Sequence, residues 1–405
     1  MKPPQIVLAK DVPPRVLRTA LALAISLFFI WGLAYGLLDV LNKHFQDTLH
    51  VGTAESTWLQ IAYFGAYLVV SLPAGLLLQR LGYKAGILIG LAVTAVGALL
   101  FIPAAAIGQF APFVGSMFVL ASGLACLETA ADSYVNVLGP AEGASRRLNL
   151  AQSFNGLGTF IGPLIGGTLF FAEGSAPGAG GHDNVRLIYA VIGTAIIVFA
   201  LFVSRVTLPE IAEEAHDTPG TKATLLRPHF IYGVLTQAIY IGAQVGIGAL
   251  FINVAIATWG GMTPRAAAYL LSLALVTYML GRFASTALLA RISPRALLTT
   301  FGVINVVLTL IVAAGIDKVS LIAMIGVFFF MSTMFPTIFA LGVRDLGSAA
   351  KRGASFMVMA IGGGVLLPYP MGLIGEHYGT PTAFLLPAAA FALVSLYGWR
   401  GAAIR

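Results

Sequence analysis

Long apolar runs, each closed by a short polar stretch, recur along the whole chain. A helix that crosses a bilayer needs about 20 mostly apolar residues. Twelve stretches meet that length: 18–41, 56–79, 85–107, 111–138, 148–172, 186–206, 229–257, 265–290, 296–315, 319–343, 353–375 and 380–399. The runs are continuous and do not alternate polar with apolar, which predicts helices and excludes the strands of a membrane barrel.

Composition turns this pattern into a statement about solvent. Only 10% of the 405 residues are charged and 58% are hydrophobic. A soluble domain carries roughly 25% charged residues, so this chain cannot cover itself in water, and a lipid bilayer is its first partner. The 46 glycines suit closely packed membrane helices. The net charge of +7 invites comparison with nucleic-acid binders until the basic residues are placed. With the N-terminus inside, 18 of the 23 Lys and Arg fall in cytoplasmic segments and four, Lys43, Arg186, Arg265 and Lys318, in outer loops. The remaining one, Arg282, lies within a span. That bias predicts a multi-pass protein of the cytoplasmic (inner) membrane with both termini cytoplasmic, and it explains the positive charge without nucleic acid. The opening MKPPQIVLAKDVPPRVLR has no apolar core of a secretory signal and reads as a cytoplasmic tail.

The six histidines are scattered without ligand spacing, and Cys126 is the one cysteine. No intrachain disulfide, metal centre or cofactor is expected. No nucleophile–base set is visible, so the chain does not read as an enzyme.

The longest polar interior segment, TLPEIAEEAHDTPGTKATLLR from Thr207 to Arg227, has prolines and a short acidic run. It predicts an organisation of 1–206 as a six-helix bundle with its cytoplasmic tail, 207–228 as a linker, and 229–405 as a second six-helix bundle. The halves resemble each other. LGPAEGASRRLNLAQSFNGLGTFIGP follows the fourth span and LGSAAKRGASFMVMAIGGGVLLPYP the tenth, with Leu138 and Leu346 offset by 208 residues. Paired halves of this kind suggest a transporter whose site lies near the midplane.

Against the apolar background three acids stand out. Glu128 follows 43 residues, Ala85 to Leu127, without a single Asp, Glu, Lys or Arg. A charge near the bilayer centre costs roughly 2.5–3.5 kcal/mol on insertion scales. A carboxyl that holds a proton avoids part of that cost, and one loaded from one side and released to the other is a proton carrier. The plainer alternative is that Glu128 is paired with Arg282 or held by the backbone. Asp132 is four residues on, on the same helix face. Two carboxylates so placed repel, so one holds a proton or a cation sits between them; alternatively Asp132 faces the cytoplasmic end. Asp39 follows a mostly apolar run from Ala20, and is either intramembrane or, if the first span ends early, at the outer surface. Arg282 is expected to hold span ends together.

GLLLQRLGYKAG, Gly75 to Gly86, resembles the loop signature of the major facilitator superfamily through Gly75, Arg80, Gly82 and Lys84, with Gln79 where the usual Asp stands. FFIWGLAYGLLDVL (28–41), CLETAADSYVNVLGP (126–140), RLNLAQSFNGLG (147–158) and FPTIFALGVRDLG (335–347) are similar to the fucose–galactose–glucose:proton symporter family. The resemblance implies an all-α membrane protein of twelve transmembrane helices in two six-helix bundles, the major facilitator fold, importing a monosaccharide by proton symport. It implies that Glu128 links proton binding to sugar binding and that Asp39 is the second titrating group. Two departures stand out. Tyr35, Gly36 and Leu38 occupy positions where the family often has Asn, and Asp132 stands where Asn is usual.

On this reading neutral polar side chains hold the sugar, because Asn and Gln both donate and accept. Gln152 and Asn155 share one helix face, as do Gln237, Tyr240 and Gln244, with Asn253 further along. Tyr35 and Tyr63, like Phe64 and Tyr67, offer aromatic faces. For each the plain alternative is hydrogen bonding between helices or packing. A sodium-coupled sugar symporter and a drug or metabolite exporter of the same fold remain the alternatives, and the protein is expected to act as a monomer.

Overall fold

The computed structural model describes residues 6–7, 12–138, 144–171, 181–211, 227–289, 291–344, 346 and 350–401. Most of the expected tail, most of the linker (212–226), and residues 139–143 and 347–349 in the repeated stretches lie outside the described residues. The first half is built from α1 (Pro14–Leu49), α2 (Thr53–Ser56), α3 (Trp58–Leu81), α4 (Tyr83–Ile107), α5 (Phe110–Val137), α6 (Ala144–Phe170) and α7 (Gly181–Arg205). The second comprises α8 (Pro228–Thr258), α9 (Pro264–Leu289), α10 (Pro294–Ala313), α11 (Asp317–Met331), α12 (Met334–Val343), α13 (Ala350–Met359), α14 (Pro368–Tyr378) and α15 (Leu385–Trp399). Among the described residues eleven helical stretches are long and apolar enough to cross a bilayer. The 27-residue α6 accounts for the twelfth expected span. The only extended pairing described is two residues long, Ile6–Val7 beside Glu210–Ile211.

Three boundaries differ from expectation for identifiable reasons. The first helix continues to Leu49, eight residues beyond the expected 41, so Asp39 lies within it and not past its end. The added turns carry Asn42, Lys43, His44, Gln46 and Asp47, polar residues that a hydropathy pattern reads as loop. Lys43 and Asp47 pair across one turn at 2.7 Å. The expected span 319–343 is broken between α11 and α12, at Ser332 and Thr333. Pro336 has no N–H for the Ser332 carbonyl, and its ring crowds that carbonyl. The expected span 353–375 passes through a 3-10 turn, Ala360–Val365, where three consecutive glycines weaken the helix and Pro368 opens the next one.

The chain packs as two compact units that draw on both halves. Unit 1 holds Met1–Leu37, Ala66–Ile165 and Glu173–His216; unit 2 holds Leu38–Gly65, Gly166–Ala172 and Asp217–Arg405. In unit 1 a stacked pair, Phe101 on Tyr189 at 3.8 Å, joins α4 to α7. In unit 2 Phe251 of α8 meets Phe328 of α11 edge-on. Outward faces carry exposed Val69, Leu72 and Leu76 on α3 and Val191 and Val198 on α7, which is what a helix surrounded by lipid presents.

Two basic residues do the same job in the two halves. Lys84, which opens α4, donates to the Ser204 and Val206 carbonyls at the end of α7, at 2.9 and 2.8 Å. Arg295, which opens α10, donates to the Gly398 and Trp399 carbonyls at the end of α15, at 3.2 and 2.5 Å. In each half the loop after the second span closes the carbonyl end of the sixth.

In unit 1, α1 and α6 touch backbone to backbone. A Cβ built on Gly36 would lie 2.4 Å from the Thr159 carbonyl oxygen, and one on Gly162 would lie 2.5 Å from the Gly36 carbonyl carbon. Small residues four apart on both helices, Gly32 and Gly36 against Gly158 and Gly162, make that approach possible. A Gly162→Val variant should therefore lose roughly 3 kcal/mol of stability or more, because the obstacle is backbone and cannot rotate away. Gly156→Ala, which meets open space, should be tolerated. Thermal unfolding of the two purified variants in detergent checks this, and equal melting would remove the contact from the account.

Candidate functional site

In unit 1 the helix α5 carries Glu128 and Asp132 one turn apart, both half-buried. Glu128 Oε2 and Asp132 Oδ1 are buried and without a hydrogen-bond partner among the described residues. Glu128 opens on a small cavity walled by Leu27, Phe28 and Trp31 of α1 and Leu127 and Ala131 of α5. The Phe28 and Trp31 rings lie 6.0 Å apart, tilted at 58°. From α3, the Tyr67 hydroxyl is turned toward the Glu128 carboxyl. Thr129 is not available to the acids, since its hydroxyl donates to the Ala125 carbonyl of its own helix at 2.7 Å.

The α1–α6 glycine contact brings Asn155 against the same stretch of α1. Asn155 Nδ2 donates to the Phe28 carbonyl at 3.2 Å, so its amide is partly engaged in holding helices, with its remaining donor and acceptor capacity free for other work. Gln152, one turn earlier on α6, is half-buried. Tyr35, one turn beyond Trp31 on α1, is half-buried too.

The other expected residues belong to unit 2. Asp39 is 7% exposed, and its Oδ1 accepts from Gln60 Nε2 of α3 at 3.4 Å. Asn253 Nδ2 donates to Gln46 Oε1 at 2.6 Å. Tyr240 is fully buried and donates to the Met331 carbonyl at 2.8 Å. Gln244 is half-buried with Oε1 unpartnered among the described residues. Tyr63 is buried, edge-on to Phe64 at 5.1 Å. Among the described residues Arg282 pairs with no acid; Nε donates to the Ser332 carbonyl at 3.3 Å and the guanidinium lies over Tyr278 at 4.9 Å. Ser332 is the carbonyl that Pro336 leaves without its helical donor, so Arg282 and Tyr240 together close the end of α11.

The structure thus gathers Glu128 and Asp132, with Gln152 and Asn155 in the same unit, and assigns Asp39, Tyr240, Gln244, Asn253 and Tyr63 to the other. Sequence reasoning did not find Tyr67, Phe28 and Trp31 as neighbours of Glu128, nor Gln60 as the partner of Asp39. A long-range partner leaves no local periodic signal.

Residues 20–367 match the family described as the Major Facilitator Superfamily. The chain is 36% identical over 401 residues to the L-fucose-proton symporter of Escherichia coli (strain K12), covering 93% of this chain and 91% of that one. It is 34% identical over 380 residues to the glucose/galactose transporter of Brucella abortus biovar 1 (strain 9-941), covering 93% and 92%. The crystal structure of a Major Facilitator Superfamily transporter, FucP, in the outward conformation superposes with a TM-score of 0.69 at 34% identity, over 96% of this chain and 99% of that one.

The Asn155 bond has a measurable weight. Asn155→Ala should lower stability by about 0.5–1.5 kcal/mol, the net worth of one such hydrogen bond, while Gln152→Ala should leave it within error. Detergent-solubilised unfolding curves for the two variants would show the difference, and a neutral Asn155→Ala would mean that the bond to α1 does not hold the pair together.

Proposed function

The chain belongs to the major facilitator superfamily, among the L-fucose and glucose/galactose transporters, and from that premise we propose that it imports a monosaccharide of the fucose, glucose or galactose type by proton symport through alternating access. The observation that carries this reading is Glu128, a carboxyl with a buried unpartnered oxygen that opens on an aromatic-walled cavity. Glu128 takes the coupling proton and Asp39 is the second titrating group. The Phe28 and Trp31 rings cover the C–H surface of the sugar, and Gln152, Asn155 and Gln244 meet its hydroxyls. One proton moving down a 100 mV potential supplies about 2.3 kcal/mol, or roughly fifty-fold accumulation.

The two six-helix halves, 1–206 and 229–405 joined by the linker 207–228, are the moving parts. The matching roles of Lys84 and Arg295 support that division. The protein acts as a monomer in the cytoplasmic membrane, oriented with its termini inside by the basic bias of its loops. A cysteine at Glu213, in the linker, should then react with a membrane-impermeant thiol reagent only after the cells are permeabilised; labelling from outside would reverse the topology.

Sodium coupling is the second reading, and Asp132 is what favours it. A hard cation needs several oxygens, and Asp132 beside Glu128 offers two carboxylates. The Thr129 hydroxyl, already bonded within its helix, is no third ligand as it stands, and protons remain the preferred ion. In proteoliposomes, sugar should accumulate under an inward pH gradient without sodium. Glu128→Gln should abolish that accumulation while sugar exchange persists, because the neutral amide mimics the protonated acid. Accumulation driven by a sodium gradient at constant pH, and lost in Asp132→Asn, would replace the proton with sodium.

A further inference from the structure

A ladder of polar contacts joins α1 to α8 at the end of unit 2 reached by the C-terminal turns of α1. Asp39, Asn42 and Gln46 recur at three- and four-residue steps, so they share one face of α1. Opposite them on α8 stand Gly248, Ala249 and Asn253. Asn42 Nδ2 donates to the Ala249 carbonyl at 2.9 Å, and Asn253 Nδ2 to Gln46 Oε1 at 2.6 Å. The third side comes from α2 and α3. Gln46 Nε2 donates to Ser56 Oγ at 2.8 Å, and Gln60 Nε2 to Asp39 Oδ1 at 3.4 Å. Asn42, Ser56 and Gln60 are fully buried.

The Asp39 end of this ladder is unlike the rest. The α8 backbone comes so close that a Cβ on Gly248 would lie 2.6 Å from Asp39 Oδ2. The approach is a direct contact of backbone on carboxyl, and among the described residues one long hydrogen bond, from Gln60, serves that carboxyl. Gln60 Oε1, on the same amide, is buried without a donor among the described residues, as are Asn42 Oδ1 and Asn253 Oδ1. Among the described residues an ionised Asp39 has only the Gln60 N–H to receive. A protonated Asp39 has a proton to give, and the spare Gln60 oxygen accepts it once the amide turns over. A buried carboxyl that is neutral and hydrogen-bonded costs far less than an unpaired buried charge.

We propose that this ladder is a proton-operated latch, closed between α1, α3 and α8 while Asp39 carries a proton and loosened when Asp39 ionises, with Gln60 as the positioning residue that accommodates either state. This rests on the reading of Asp39 as a titrating group. Other charged and titratable groups nearby are otherwise engaged. Lys43 is paired with Asp47, and the His44 ring lies against Phe170 and Phe171. The facing residues of α3 and α8 named above are neutral, and α6 meets α1 here through Gly166 on Val40. At the same end Glu376 Oε1 accepts from the Ala54 N–H at 2.9 Å, and is a further carboxylate that the test separates; Glu55 of α2 is replaced by the label.

The test places spin labels on cysteines at Glu55 and Gly260, both exposed, in full-length protein carrying Cys126→Ala, and reads distance distributions in liposomes without sugar. The short-distance population should dominate at mildly acidic pH and fall at mildly alkaline pH. Asp39→Asn should hold it short at both, and Gln60→Leu should move the midpoint. Asn253→Ala should cut the short population about fivefold at acidic pH, the worth of one buried hydrogen bond; Gln46→Ala, from the other side of that bond, serves should the first variant misfold. Glu376→Gln should leave the pH response intact. A distribution that follows pH in Asp39→Asn as it does in the parent, or that ignores loss of the Gln46–Asn253 bond, overturns the latch. Sugar uptake is a separate readout: a pH-insensitive distance in a working proton symporter sinks the latch alone, and a pH-operated latch in a protein that moves no sugar sinks the transport reading alone.

Discussion

A backbone carbonyl that loses its helical donor inside a bilayer has no water to turn to. Much of the arrangement follows from that constraint. Where Pro336 removes a donor from the Ser332 carbonyl, Arg282 supplies one, and Tyr240 serves Met331 beside it. Where α7 and α15 run out, Lys84 and Arg295 reach across to their last carbonyls. The basic residues that reach into the apolar region are thereby accounted for as donors rather than as counter-ions. That leaves the acids conspicuous, because the one ion pair among the described residues, Lys43 with Asp47, involves none of them.

The three acids within the apolar spans pose one physical problem and meet it with different surroundings. Glu128 and Asp132 share a helix face, and Glu128 opens on a small cavity walled by the Phe28 and Trp31 rings. Asp39 is buried, with the Gly248 backbone close on one side and the Gln60 amide on the other. On the proposed reading, the first surrounding is where a proton and a sugar influence each other, and the second is where a proton changes how helices pack.

Much of this was legible from sequence, and the illegible part has a common cause. The spans could be read because lipid demands continuous apolar runs, and Glu128, Asp132 and Asp39 because charge in such a run is costly. The end of α1 could not, since Asn42, Gln46 and their neighbours look like loop until α8 is seen opposite them. Periodicity placed Tyr240 on one stripe with Gln237 and Gln244, with Asn253 further along the same helix. It names a face, not a partner, and the structure gives the polar atoms of Tyr240 and Asn253 to Met331 and Gln46. Gln60 and Gly248 are neutral or small, so nothing marked them before their distances to Asp39 were known.

The break between α11 and α12 makes the tenth span a jointed rod. A continuous helix resists bending through its ladder of backbone bonds, which give way together. At Ser332 and Thr333 the restraint comes instead from side chains of other helices, Tyr240 on α8 and Arg282 on α9. Such bonds can be exchanged singly, with the backbone of the span left as it is. The compliance of this joint is therefore written in its neighbours, so that a substitution on α8 or α9 could stiffen or free a lever to which it does not belong.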